Sequence, residues 1–185
     1  MNLIGTKTLQ TNRLTLRQFQ LEDYVQAFNN YCNDERVTKY MTWYPHNDIN
    51  VTKELVSSWV KAYQTHNNFF QWVIVEKEIN QVIGSISVVD IKEEISEVEI
   101  GYCLGYKYWN NGYVTEAAKE VIKYLFEEVN VNSIIAKHDS RNEASGKVMQ
   151  KCNMKYEGIL RHAAVTSEKK ICDLVSYSIM KDEYK

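Results

Sequence analysis

Hydrophobic positions along the chain change period several times, and each change predicts a new element. Residues 12–19 alternate polar and apolar around Leu14, Leu16 and Phe19, with Arg13 and Arg17 between, which predicts a half-buried strand. Leu21 to Cys32 reads as a helix, with Glu22 and Asp23 in its first turn, where carboxylates offset the helix dipole. A short helix is expected from Asp34 to Tyr40. Trp43-Tyr44-Pro45-His46 ends it, Pro45 being the single proline of the chain. Asn50 to Thr65 is a third helix, with Leu55, Val56, Trp59, Val60 and Tyr63 on one face.

After Asn67-Asn68 the period becomes two. Phe69–Val75, Val82–Asp90 and Ile95–Leu104 predict an antiparallel meander with polar turns at Lys77–Gln81 and Lys92–Glu94. The next segment returns to helical spacing. Val114, Ala117, Ala118, Val121, Ile122, Leu125, Phe126 and Val129 follow the i, i+3, i+4, i+7 series without a break. Val131–Ala136 is then a strand and Asn142–Lys151 a shorter helix, with Asn153 just past its end, where a left-handed residue is favoured. Lys155–Ala164 and Lys170–Met180 close the chain as two strands around a polar turn at Ser167–Lys169. No Pro/Gly/Ser linker or repeat interrupts this order, so residues 1–185 predict one α+β domain.

Composition narrows the functional classes. At 185 residues the chain can bury roughly 70% of its unfolded surface and needs no metal or disulfide to fold. A formal net charge of −2 lacks the basic excess of a nucleic-acid binder. The four cysteines, Cys32, Cys103, Cys152 and Cys172, form no close-set pairs, so no metal site is expected and reduced thiols in a cytoplasmic protein are. No apolar run reaches membrane-spanning length.

The candidate chemistry sits in Glu99–Ala118, EIGYCLGYKYWNNGYVTEAA, where a strand passes through a glycine-punctuated aromatic loop straight into a helix. Such a loop aims unpaired N–H groups and the positive helix end at one spot, which suits a phosphate. Gly146-Lys147 is followed by Val148 with no glycine five positions before Gly146, so it is not a nucleotide P-loop. Gly101, Gly105 and Gly112 do not fit G-x-G-x-x-G, which disfavours a dinucleotide fold.

Together with the later NEASGKVMQKCNMKYEGILRHA and the opening TNRLTLRQF, this stretch resembles the GNAT superfamily of acetyl-CoA-dependent N-acetyltransferases. The resemblance is closest to the branch with ribosomal-protein N-terminal acetyltransferases and covers nearly the whole chain. It implies a mixed, mostly antiparallel twisted sheet of about seven strands flanked by helices. The family's phosphate loop, Q/R-x-x-G-x-G/A, falls on Trp109-Asn110-Asn111-Gly112-Tyr113-Val114, with Trp109 and Val114 departing from the pattern. Cys152-Asn153-Met154 also departs, standing where a small residue, Gly and Phe are common.

The resemblance implies that main-chain groups of Tyr102, Cys103 and Leu104 pair with the pantetheine arm of acetyl-CoA. Asn142 would bond the same arm, and Ser145 would serve the departing thiolate, although Asn and Ser also cap helices. Glu99 is the implied base, with Glu97 second; the alternative is a solvated strand carboxylate. An acyl-enzyme on Cys103 is disfavoured, since no nearby histidine raises its thiolate fraction. His46, His66, His138 and His162 form no motif, and Trp43, Tyr44, Trp59 and Tyr63 could wall an acceptor pocket, with core packing the favoured reading for the latter pair.

The implied reaction is direct transfer of acetyl from acetyl-CoA to a primary amine through a tetrahedral intermediate. An α-amine, pKa about 7.8, is easier to neutralise than a lysine, about 10.4, by roughly 3.5 kcal/mol. That gap favours a protein or peptide N-terminus as acceptor. A small amine (aminoglycoside, polyamine or amino acid) and a non-catalytic acyl-CoA module stay open, as do monomer and homodimer.

Overall fold

Alternation along the strands places consecutive side chains on opposite sheet faces, and two separate apolar clusters result. The computed structural model describes residues 1–184. Its strands are β1 (Leu9–Gln10), β2 (Leu14–Arg17), β3 (Gln71–Glu76), β4 (Gln81–Lys92), β5 (Glu97–Leu104), β6 (Ser133–Asp139), β7 (Lys155–Val165) and β8 (Ile171–Met180). They form one sheet in the order β1-β2-β3-β4-β5-β6-β8-β7. All neighbours are antiparallel except β5 and β6. The sheet therefore has eight strands where the pattern predicts about seven; the addition is β1, whose two residues are too short to show a period.

The helices are α1 (Asp23–Ala27), which widens into a π-helical turn at Phe28–Cys32, α2 (Glu35–Thr38), α3 (Ile49–Thr65), α4 (Tyr113–Tyr124), with a second such turn at Leu125–Val129, and α5 (Glu143–Lys151). Along β3, Ile74 joins the larger cluster with Leu16, Ile86, Ile100, Val121, Leu125 and Met149, under α4 and α5. Val73 and Val75 join the other, with Phe19, Tyr31, Val56 and Cys103, under α1 and α3. Each such buried side chain is worth about 1.5–3 kcal/mol of transfer free energy.

The feature that makes a site is a parting of the sheet. Parallel pairing of β5 with β6 covers only Glu97↔Ser133, Val98↔Ile134 and Glu99↔Ile135. Beyond Glu99, β5 stays with β4 as far as Leu104↔Gly84, and β6 stays with β8 as far as Asp139↔Leu174. An irregularity in β4 between Val88 and Asp90 falls opposite the point of separation, and bulges bend the strand that carries them. Residues 100–104 consequently have no strand on their β6 side. α5 begins beside this gap, joined to β5 by a hydrogen bond from the Tyr102 hydroxyl to the Ser145 carbonyl, 3.0 Å.

Candidate active site

The loop from β5 to α4 is shaped by its backbone before any side chain acts. Gly105 follows the strand where a Cβ would lie 2.5 Å from the Asn30 carbonyl oxygen, so no other residue fits. Asn110 (φ 62°) and Gly112 (φ 77°) are both left-handed, a conformation glycine adopts freely and asparagine tolerates. Side chains cap three helix starts: Asp34 accepts from Arg36 N in α2, Asp48 from Asn50 N in α3, and Asn142 from Ser145 N in α5, while the short α1 has no side-chain cap. At α4 the N-cap is Gly112, and no side chain caps it. First-turn N–H groups at the positive end of a well-formed helix are thus left for a ligand, the arrangement that binds phosphate.

Two of the predicted loop residues also brace it. Trp109 Nε1 donates to the Leu104 carbonyl at 2.8 Å, and Asn111 Nδ2 donates to the Trp109 carbonyl at 3.0 Å. A second support comes from residues that motif spacing does not reveal. Arg13 Nη1 donates to the Asn111 carbonyl at 3.0 Å, its guanidinium lies 4.4 Å from the Tyr113 ring centroid, and Nε donates to Glu116 at 2.7 Å. Glu116 also accepts from Thr11 Oγ1 (2.6 Å) and Arg13 N (2.8 Å). Burial pushes the Glu116 pKa up, but these hydrogen bonds together outweigh it and hold the carboxyl below its ordinary value. The available signal was an acid in the first turn of α4.

Between this loop, the unpaired edge of β5 and the start of α5 lies a cavity of about 590 Å³. Of the predicted residues, Tyr102, Cys103, Leu104, Trp109, Asn110, Gly112, Tyr113, Val114, Asn142 and Ser145 all line it. Asn111 and Glu99 are not among its walls. Tyr102 was expected to act through its main chain, but its side chain matters too. Ser145 Oγ donates to the Tyr102 hydroxyl at 3.3 Å. Burial drives the Tyr102 pKa well up, with the Ser145 bond opposing, so the phenol stays a protonated donor at neutral pH. Asn142 Oδ1 accepts from Ser145 N at a long 3.4 Å, so a capping role is present in this structure.

Cys103 Sγ lies 3.3 Å from Ser85 Oγ, and burial raises its pKa, which argues against a thiolate nucleophile. Glu99, on the last rung before the strands part, pairs at 2.6 Å with Lys137, two residues further along β6 than its rung partner Ile135. Glu97 pairs with Lys92 (2.8 Å) and accepts from Ser133 Oγ (3.1 Å). No histidine lines the cavity; His138 lies behind α5, its Nε2 2.8 Å from where a Cβ on Gly146 would be. Trp43 and Tyr44 do not line it either, whereas Tyr40 and Met41 do. Trp59 and Tyr63 pack in the second cluster, as their helix face predicts. Among the described residues, no three of His, Cys, Asp and Glu converge as metal ligands, and no helix is long and apolar enough to cross a membrane.

A parted sheet whose edge leads to an uncapped helix defines a protein that takes up an extended, phosphate-bearing ligand. Comparison with known proteins agrees. The family model for the acetyltransferase (GNAT) domain matches residues 13–155. The uncharacterized N-acetyltransferase p20 of Bacillus licheniformis is 33% identical over 178 residues, covering 96% of this chain and 98% of the relative. An acetyltransferase (GNAT family) structure from Bacillus anthracis superposes with a TM-score of 0.83 at 26% identity, over 96% of this chain and 100% of that one. Ribosomal-protein-S5-alanine acetyltransferase from Vibrio fischeri shares the fold with a TM-score of 0.83 at 22% identity, over 97% and 99% of the two chains. The chain belongs to the GNAT acetyltransferase family, and is an acetyl-CoA-dependent N-acetyltransferase.

Proposed function

We propose that the acceptor is the α-amine of a protein or peptide N-terminus. In this reading the amides at the start of α4, around Gly112, hold the diphosphate of acetyl-CoA. Main-chain groups of Tyr102–Leu104 pair with the pantetheine arm in place of the missing strand. Asn142 steadies the same arm from the N-cap of α5. The observation that carries the assignment is the coincidence of an uncapped helix start with the unpaired edge of β5.

Three tasks then fall to this chain's own groups. N–H groups of β5 that face the gap can polarise the thioester oxygen. The Tyr102–Ser145 pair, a serine hydroxyl bonded to a protonated phenol, can supply a proton to the departing sulfur. Glu99 is the proposed proton acceptor for the amine, through water, because it stands outside the cavity walls. Its partner Lys137 adds a positive charge on the same strand pair, and a nearby cation favours the neutral form of an amine. An α-amine, whose pKa lies far nearer to 7 than a lysine's, is the acceptor such a modest base serves best. The branch with ribosomal-protein acetyltransferases, one of which has this fold, supports the same choice.

The test is thiol release from acetyl-CoA against peptides of varied N-terminus and a panel of small amines. Turnover of the peptides supports the reading; turnover of small amines alone refutes it. Gly112→Val, which strains a left-handed position and covers the amides, should raise KM for acetyl-CoA at least tenfold. An unchanged KM would remove the phosphate assignment.

A further inference from the structure

The walls of the cavity carry more positive charge than main-chain recognition of a diphosphate requires. Its charged lining residues are Arg36, Arg141, Lys147, Lys151 and Glu143, four cations against one anion. The two lysines lie one turn apart on α5. The two arginines come from α2 and from the turn that precedes α5, with Tyr40 and Met41 also in the wall.

Both guanidiniums are fixed in the same manner. Arg36 donates to Asp34 through Nε (2.9 Å) and Nη2 (2.6 Å), and lies 3.8 Å from the Tyr106 ring centroid. Arg141 donates to Asp139 through Nε (2.8 Å) and Nη2 (2.5 Å), with Tyr40 at 5.9 Å. The Asp139 side chain is 1% exposed, so that anchor is rigid. In each arginine one edge is spent on a carboxylate, and Nη1 has no partner among the described residues. The side chains remain 58% and 45% exposed. A guanidinium already held in place, with an open edge, can take a second oxyanion at little further cost in side-chain entropy.

We infer that Arg36 and Arg141 receive an anionic group on the acceptor, so that the preferred substrate is a peptide N-terminus with an acidic side chain at its second or third residue. The inference rests on the acetyl-transfer reading of the cavity and deepens it. Asp34 and Asp139 offset part of the arginines' charge, and Glu168 adds another anion near Arg141. Lys39 and Lys170 flank Glu168 in turn, so the rim stays balanced while the lining stays cationic. Polyamines and aminoglycosides would meet repulsion there. The same donors could instead read a coenzyme phosphate, and the experiment separates the two sources.

Two peptides differing only in Glu or Gln at the second and third positions are titrated calorimetrically into the protein loaded with CoA. The acidic peptide should bind about tenfold tighter, and Arg36→Gln should abolish that preference while acetyl-CoA affinity stays within twofold. Arg36 is the better probe, because Arg141→Gln would strand the buried Asp139. Arg36→Lys, which keeps charge but loses the fork, should retain only part of the preference. Equal binding of the two peptides overturns the inference. So does a loss confined to acetyl-CoA, which would assign the arginines to the coenzyme. Thiol release on the same peptides reports separately on acetyl transfer, so failure of that reading is seen independently of the charge preference.

Discussion

Ser145 and Tyr102 illustrate what a single residue contributes here. The hydroxyls bond to each other, and Tyr102 also donates to the Ser145 main chain, so the phenol joins β5 to α5 and also holds the serine hydroxyl in place. Ser145→Ala removes only the bond between the hydroxyls. Turnover should fall by tenfold or more, with KM for acetyl-CoA nearly unchanged, because a proton donor acts on the transition state rather than on binding. Stopped-flow thiol release with a saturating acceptor measures it; full activity would retire Ser145. The position was legible from N-x-x-S at a helix start. Its partner was not, since the contact joins residues 102 and 145, and an isolated strand pattern says nothing of what a tyrosine meets. The Glu99–Lys137 pair was hidden for the same reason: the register of a parallel pair does not follow from either strand alone.

At the scale of the element, the loop and α4 were readable because glycine and helical period coincide within a few residues. What fixes the loop was not readable, since Arg13 reaches Asn111 and Glu116 from about a hundred residues earlier in the chain. Glu116 is held below its ordinary pKa, so its stabilising contribution is fully present above the unfolded value near 4.5 and is lost as pH falls through the lowered folded value. Glu116→Gln should therefore destabilise the protein by about 2 kcal/mol at pH 7, where charge-assisted bonds to Thr11 and Arg13 are lost. The gap between variant and parent should narrow as pH is taken below the unfolded value near 4.5. Thermal unfolding at pH 7 and pH 3.5 checks this; a gap independent of pH would show that the carboxylate's charge is not what matters. Acetyl-CoA affinity should weaken with it, because the brace acts on the loop.

The whole molecule is a sheet in two parts, β1 to β5 on one side and β6, β8 and β7 on the other, joined by three paired rungs and by the cluster under α4 and α5. Strand number and class were close to readable, but the parting was not: both flanking strands have unbroken β patterns, and each simply keeps its other neighbour. A ligand strand seated in the gap would add the hydrogen bonds the two parts do not make with each other. Binding to the folded state alone at a hundred times Kd contributes about 2.7 kcal/mol. For a chain of this length that raises Tm by about 5–10 °C. Acetyl-CoA should produce this shift in the parent and little of it in Gly112→Val. Hydrogen exchange locates the effect: amides of β5 from Ile100 to Leu104 should gain protection on binding, while those of β3, paired on both sides already, should gain only what global stabilisation gives. Uniform protection across the sheet would mean that the coenzyme stabilises the fold from somewhere other than the gap.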